Sequence, residues 1–175
     1  MSGPVVISRC ASEAQFAAIL KLVHEAFGAL TPPSGALNET LDDVAARFKA
    51  GPVLIAEANG EPVGSLYCAL KDGGLYLTRM AVRPDRQKQG IGCALLSAAE
   101  AEARTLGPRK LTLRVRVNLP ENRAYFERAG FRVTGRGQDP PAGPLIRRWN
   151  ALWLRPFDQA QAAAPRLSYP AMALK

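Results

Sequence analysis

Residues 75–106 read LYLTRMAVRPDRQKQGIGCALLSAAEAEARTL. The part from Leu75 to Val82 is mainly apolar and aromatic without helical spacing, which predicts a buried strand. Arg83-Pro84-Asp85 ends this strand, because proline fixes φ and cannot extend a ladder. From Ile91 to Leu106 the apolar residues recur at helical spacing, which predicts an amphipathic helix. The stretch is therefore a strand, a short basic loop and a helix.

The loop between the strand and the helix has the properties of a phosphate site. Gly90 and Gly92 let the backbone turn sharply and approach a ligand, because glycine has no Cβ. The first N–H groups of the helix lack intrahelical acceptors and lie at the positive end of its dipole. Arg86 and Lys88 add full positive charge. We expect a phosphate or pyrophosphate bound mainly by main-chain donors; the alternative is a tightly packed joint without a ligand.

Two common nucleotide-binding motifs are absent from the sequence. No run has the GxxxxGK[ST] order of a P-loop. A dinucleotide fingerprint would need a third glycine where Leu95 stands. A different class of phosphate binder is required.

Three stretches are distinctive: MAVRP from Met80 to Pro84, QKQGIG from Gln87 to Gly92, and NRAYFERAGF from Asn122 to Phe131. In this order they resemble the motifs of the GNAT N-acetyltransferase superfamily. QKQGIG, from Gln87 to Gly92, is similar to its Q/R-x-x-G-x-G/A signature, which holds the pyrophosphate of acetyl-CoA. MAVRP, from Met80 to Pro84, resembles the run that precedes this signature. NRAYFERAGF, from Asn122 to Phe131, resembles the second signature, which ends in Gly-Phe. The resemblance covers about residues 5–155.

The resemblance implies an α/β fold in a single domain, with a mixed, mainly antiparallel twisted sheet of about seven strands flanked by four helices. The predicted element order is β-α-α-β-β-β-α-β-α-β-β, with turns at Asn59-Gly60 and at Asp72-Gly73-Gly74. We expect the domain to span residues 1–157 and residues 158–175 to form an Ala/Pro-rich tail. In this family the strand from Leu75 and the strand from Leu111 splay apart, and the thioester lies between them.

The resemblance also assigns positions to acetyl-CoA as co-substrate. The pantetheine arm would pair with the end of the first of these strands like an added strand, and the second signature would line the arm. A single histidine and the lack of a Cys pair argue against a zinc site, so no metal is expected. The predicted acetyl-CoA contacts are Met80, Ala81, Val82, Gln87, Lys88, Gln89, Gly90, Ile91, Gly92, Cys93, Asn122 and Tyr125.

The catalytic groups are harder to assign. The family commonly places a tyrosine four residues before the glycine of Gly-Phe, as the acid that protonates the CoA thiolate. Phe126 occupies that position and Tyr125 precedes it. Adjacent helical residues point about 100° apart, so either Tyr125 donates from a shifted helix or the thiolate leaves unassisted. The strand from Leu75 to Val82 has no carboxylate, and the candidate bases are Glu57 on a neighbouring strand or a water chain.

The acceptor side is predicted near the N-terminus. In the family, the first two helices and their connection form one wall of the acceptor site, which here implicates Thr31 to Asn38; a simple surface connection is the alternative. Thr40 is expected to cap the second helix. His24 is interpreted as a partly buried structural residue, because no carboxylate is evident to orient it as a base.

Charge is divided unevenly along the chain. Residues 1–74 hold five Lys/Arg and eight Asp/Glu, whereas residues 75–175 hold eighteen and seven. A nucleic-acid binder could share this pattern, but the basic residues begin at the predicted phosphate loop. We therefore expect no specific nucleic acid, a basic half that faces CoA, and an acidic half that draws in a cationic amine.

These observations predict an N-acetyltransferase that transfers an acetyl group from acetyl-CoA by direct attack in a ternary complex. The acceptor would be a small-molecule amine, a peptide N-terminus or a lysine. An acyl-CoA-binding sensor without turnover is the alternative, since Phe126 replaces the family tyrosine. Three scattered cysteines and no membrane-length apolar run predict a cytoplasmic protein without a membrane partner. Oligomeric state stays open, with a homodimer among the allowed states.

Overall fold

The helices and strands follow the predicted order in the computed structural model, which describes residues 4–31, 33–116, 119–137 and 150–156. The strands are β1 (Val5–Arg9), β2 (Val53–Ala58), β3 (Glu61–Lys71), β4 (Gly74–Val82), β5 (Lys110–Arg116), β6 (Arg132–Gly137) and β7 (Asn150–Pro156). The helices are α1 (Phe16–Phe27), α2 (Leu41–Ala50), α3 (Ile91–Leu106) and α4 (Pro120–Arg128). The predicted α/β fold is confirmed, and the tail predicted for residues 158–175 lies outside the described residues.

All seven strands belong to one sheet, in the order β1-β2-β3-β4-β5-β7-β6. Every neighbouring pair is antiparallel except β4 and β5. Hairpins form at both predicted turns, where Asn59 and Gly60 have φ of 54° and 78° and Asp72 and Gly73 have φ of 51° and 70°. The second turn is one residue shorter than predicted, since Gly74 already belongs to β4. Two consecutive residues of positive φ suit the right-handed twist of the flanking strands.

Helices cover both faces of the sheet. On one face α1 and α2 pack over a buried cluster that includes Ile19, Val44 and Ile55. On the other face α3 packs over a second cluster that includes Leu95 and Leu111. Within the described residues, no helix is long and apolar enough to cross a bilayer.

Local signals determine the starts and ends of α2 and α3. Thr40 caps α2, as predicted, and its hydroxyl accepts from the N–H of Asp43 while the Asp43 carboxylate accepts from the N–H of Thr40. This reciprocal pair is a capping box. Helix α3 ends at Gly107, whose φ of 102° continues the chain in the left-handed region.

Candidate functional site

The parallel pair β4–β5 opens along its length. Within the described residues, the two strands pair only from Leu75 to Leu77 and from Leu111 to Leu113. The rest of β4, to Val82, pairs with β3 on its other side and has no partner in β5. Strand β4 therefore presents unpaired backbone groups towards this gap, which we call the β4–β5 opening.

A β-bulge lies at the opening. The register of β3 and β4 shifts between Ser65 and Tyr67, so that Leu66 faces both Arg79 and Met80. Arg79 has a φ of 51°, which is uncommon for a residue with a side chain. Bulges bend a strand and redirect its groups, and such backbone strain is concentrated at functional sites.

The loop after β4 leads into the first turn of α3. Lys88 and Gly90 both have positive φ, 60° and 82°. Helix α3 has no side chain that caps its start. The N–H groups of Ile91, Gly92 and Cys93 make no hydrogen bond within the described residues, so three adjacent donors face outward at the positive end of the helix.

The polar side chains of the loop bind the loop itself. Gln87 Nε2 donates to the carbonyl of Val82 at 3.2 Å, and Gln89 Nε2 donates to the carbonyl of Asp85 at 3.2 Å. The hydrogen bonds of Arg83 lower the pKa of the Asp85 carboxyl, with Nε to Oδ1 at 2.7 Å. These contacts shape the loop and leave its main-chain donors available for a ligand.

Tyr125 on α4 lies against the first turn of α3. Its Oη donates to Cys93 Sγ at 3.7 Å. A Cβ built on Gly92 would lie 2.6 Å from the same Oη and 3.7 Å from Met80 Cε, so position 92 has no room for a side chain. Burial and, secondarily, Cys93 raise the pKa of the Tyr125 hydroxyl. Tyr125 therefore keeps its proton near neutral pH and is a hydrogen-bond donor.

Phe126 is a core residue. It is 8% exposed and packs edge-to-face on Phe131, with ring centroids 5.6 Å apart. The rings of Tyr125 and Phe126 are also perpendicular, with centroids 5.1 Å apart and planes at 80°, and Phe126 is buried whereas Tyr125 is only partly buried. Asn122 is exposed on the same helix. Of the predicted acetyl-CoA positions, Ala81 and Ile91 are buried and can offer only backbone groups.

Glu57 does not reach the opening. It lies on β2, where it pairs with Val6 of β1 and Pro62 of β3. Strand β3 lies between β2 and β4, so at the usual strand spacing the backbone of Glu57 is about 10 Å from the backbone of β4. The structure therefore brings Tyr125 and the loop before α3 together, but it leaves Glu57, the predicted base, apart from them.

A buried carboxylate that sequence reasoning missed lies on the α1–α2 face. The Glu39 side chain is 4% exposed, and its Oε1 accepts from Arg79 Nε at 2.8 Å and from Arg47 Nε at 2.9 Å. Arg47 Nη2 is also 2.9 Å from this oxygen. Its other oxygen, Oε2, is buried and has no hydrogen-bond partner among the described residues. We call Glu39, Arg47 and Arg79 the Glu39 cluster.

Further polar groups surround this cluster. His24 Nε2 lies 3.1 Å from the Glu39 carbonyl oxygen, and since a carbonyl only accepts, Nε2 carries the proton. The guanidinium of Arg47 lies 5.2 Å from the ring centroid of Tyr67. The Tyr67 hydroxyl is buried without a partner, and burial, followed by the charge of Glu39, raises its pKa. His24 is thus the partly buried structural residue that was predicted.

The α1–α2 connection reaches the far side of the opening. Arg116 Nη2, at the end of β5, donates to the carbonyl of Pro33 at 2.9 Å. Ser34 accepts from the N–H of Ala36 at 3.2 Å and starts the short turn before Glu39. The connection therefore extends from the Glu39 cluster beside β4 to the end of β5.

The sequence did contain half of the signal for this cluster. Arg79 is a charge within an otherwise apolar strand, and a charge in such a strand needs a partner. Its partner Glu39 lies forty residues earlier, in an irregular segment without periodicity. Only the packing of α1 and α2 on β4 brings the two together.

Comparison with known proteins agrees with this geometry. The model of the Acetyltransferase (GNAT) family matches residues 17–131. The ribosomal-protein-S18-alanine N-acetyltransferase of Escherichia coli is 22% identical, with a TM-score of 0.72 over 87% of this chain and 93% of that one. The ribosomal-protein-alanine N-acetyltransferase of Brucella melitensis is 20% identical, with a TM-score of 0.71 over 86% and 99%. The IAA acetyltransferase of Bacillus cereus is 21% identical, with a TM-score of 0.67 over 87% and 99%. The family match covers well over half of the chain, which therefore belongs to the GNAT family of N-acetyltransferases.

Proposed function

We propose that the protein transfers an acetyl group from acetyl-CoA to an amine by direct attack in a ternary complex. The observation that carries this proposal is the β4–β5 opening, which leads to the three outward N–H groups at the start of α3. Together they offer backbone groups for an extended arm and donors for a pyrophosphate.

The residues present fit acetyl-CoA. Ile91, Gly92 and Cys93 would hold the pyrophosphate through their N–H groups, with Lys88 adding charge. Met80 to Val82 would pair with the pantetheine arm through backbone groups on the side of β4 that has no partner in β5. Among the described residues, no group of three or more His, Cys, Asp or Glu side chains is placed to hold a metal ion.

Acetyl-CoA supplies an activated acetyl thioester whose leaving thiol, with a pKa of about 8.5, departs readily near neutrality. The chain supplies orientation and hydrogen bonds. A backbone N–H of β4 near Met80 would polarise the thioester carbonyl, a contribution of roughly 3–4 kcal/mol when the donor is preorganised. Tyr125 holds its proton beside the first turn of α3, which suits a donor towards the departing thiol. Glu57 is left out of the mechanism because of its distance from the opening, so the proton that the attacking amine loses would pass to water, the other candidate base.

Two measurements test the proposal. Acetyl-CoA at 100 times its Kd should stabilise the protein by about 2.7 kcal/mol, which thermal unfolding detects. Addition of amines, including peptides with a free N-terminus, should then release thiol. Stabilisation without thiol release across a broad amine panel would instead support the acyl-CoA sensor, and a lack of stabilisation would contradict both functions.

A substitution at Gly92 gives the matched variant. Gly92→Ala places a methyl group against Tyr125 Oη, so the first turn of α3 or Tyr125 must move. We expect the affinity for acetyl-CoA to fall about tenfold or more. Ser97→Ala, at an exposed position further along α3, should leave the affinity unchanged. Equal affinities for the two variants would contradict the assignment of the loop.

A further inference from the structure

The Glu39 cluster holds more positive charge than is needed to neutralise its carboxylate. Two guanidinium groups bind a single oxygen of Glu39, which leaves a net charge of +1. One arginine can satisfy both oxygens of a carboxylate by two parallel hydrogen bonds, yet Oε2 of Glu39 is left buried and unpartnered. The exposed Asp43 carboxylate binds Thr40 rather than an arginine. Its charge still interacts with both Arg47 and Arg79, so it offsets part of the excess from outside the cluster.

The excess charge lies at the place where an acceptor would meet the thioester. Arg79 is the second residue of β4 after its last pair with β5, Leu77. Arg47 Nη1 lies 3.4 Å from Thr78 Oγ1, which places its guanidinium on the same face of β4. The α1–α2 connection extends from here to β5 through Pro33 and Arg116. The cluster therefore borders the β4–β5 opening on the side of the acceptor wall.

Arg79 has more N–H donors than its contact with Glu39 uses. Its Nε binds Glu39, but its two terminal nitrogens make no hydrogen bond to the described residues. The side chain is 28% exposed, and that of Arg47 is 33% exposed. Glu39 thus fixes the direction of a guanidinium whose outer edge is accessible and matches a planar oxyanion.

We propose that Arg79, oriented by Glu39 and assisted by Arg47, binds a carboxylate of the acceptor, so that the acceptor is a small amine carrying a carboxylate a few bonds from its nitrogen, as in an amino acid. This inference rests on the proposed function. It adds a carboxylate to the cationic amine that the overall acidity of residues 1–74 led us to expect. Arg79 and Arg47 are the specificity residues, and Glu39 is a positioning residue.

Thiol release at saturating acetyl-CoA tests the inference with matched acceptors. For each of several amino acids, the free acid is compared with its amide, with the amine lacking the carboxyl group and with the aminophosphonate analogue. A short peptide with a free N-terminus and an amidated C-terminus is a fifth arm. We expect kcat/KM to be about tenfold to a hundredfold higher for the acid than for the amide, the range that charged hydrogen bonds contribute. Equal values for acid and amide, or a higher value for the phosphonate or the peptide, would overturn the inference.

Variants assign the preference to Arg79. Arg79→Gln should remove the preference for the acid over the amide by raising the KM for the acid, so that the ratio of the two kcat/KM values falls towards one. Arg79→Lys should retain part of the preference because it keeps the charge. Arg104→Gln, which removes an arginine paired with Glu100 on α3, is the control and should retain it in full. If Arg79→Gln kept the preference, Arg79 would not be the binding group.

Different results would contradict the proposed function and the inference about the acceptor carboxylate. If acetyl-CoA stabilised the protein but no amine released thiol, the proposed function would fall and this inference with it. If amides and amines were acetylated as well as acids, only the inference would fall.

Discussion

Each face of the sheet holds one buried glutamate, and the two are satisfied in opposite ways. On the α3 face, the Glu102 side chain is fully buried, and both of its oxygens bind Arg9 of β1, with Nε to Oε1 at 2.6 Å and Nη2 to Oε2. On the α1–α2 face, two arginines bind one oxygen of Glu39, and the other oxygen has no partner in the part of the chain that the structure describes.

The difference separates a structural pair from a functional one. The pair of Glu102 and Arg9 satisfies both carboxylate oxygens and joins the first strand to α3 across 93 residues of sequence. The Glu39 cluster is incomplete, has excess charge and lies at the opening in the sheet. A buried charge is tolerated when it is fully paired, whereas incomplete pairing and strain are typical of sites that await a ligand.

The largest effect is expected from breaking the complete pair. Arg9→Met leaves the Glu102 carboxylate buried and unpaired, and should lower the free energy of unfolding by about 3 kcal/mol, measured by urea denaturation. The value lies at the low end of the range for buried pairs because the Arg9 side chain is 46% exposed. Activity at a temperature where the variant is folded should be unchanged.

A double variant controls this measurement. Arg9→Met with Glu102→Leu removes both charges, and should recover most of the lost stability because apolar groups can replace a buried pair. A loss below about 1 kcal/mol for Arg9→Met alone, the level of an exposed pair, would show that Glu102 is not the buried structural anchor described here.

On the α1–α2 face we expect a smaller loss of stability and a larger loss of acceptor binding. Glu39→Gln keeps the shape of the side chain but removes its charge. Because the partner guanidiniums are about one-third exposed, water can solvate them, and the free energy of unfolding should fall by only about 1–2 kcal/mol. The KM for the acceptor should rise, while that for acetyl-CoA stays unchanged. A stability loss equal to that of Arg9→Met, with normal acceptor kinetics, would make Glu39 a second structural pair.

The two faces also differ in how far the sequence predicts them. The strand, loop and helix of residues 75–106 are specified by local signals: apolar runs, proline at 84, and glycines at 90 and 92. These signals act within a few residues, so β4, α3 and the phosphate loop between them could be predicted. The hairpins and the cap of α2 at Thr40 are local in the same way.

The parts that could not be predicted depend on contacts between distant segments. Nothing near Glu39 indicates that it meets Arg79, and nothing near Glu57 indicates that β3 separates it from the opening. The directions of Tyr125 and Phe126 were equally undetermined, because one residue of helical register decides which of them enters the core. Chemistry that requires several strands and helices to meet is therefore least visible in the sequence.

The smallest expected effect is on the pH dependence of stability, and it concerns the core on the α3 face. Cys68 of β3 lies in the α3-face core, 2% exposed, and burial, followed by the charge of Glu102, raises the pKa of its thiol. The folded state then retains a proton that the unfolded chain loses above about pH 8.5. Cys68 should thus contribute stability at neutral pH that declines as pH rises, by at most about 1.4 kcal/mol per pH unit above that value.

Urea denaturation of the wild type and of Cys68→Ala between pH 7.5 and 10 should show a shallower alkaline decline for the variant, after its constant cavity cost at neutral pH is subtracted. Parallel curves would mean that the thiol ionises as easily in the folded protein as in the unfolded chain. The core on the α3 face would then not differ from the Glu39 cluster in the way described here.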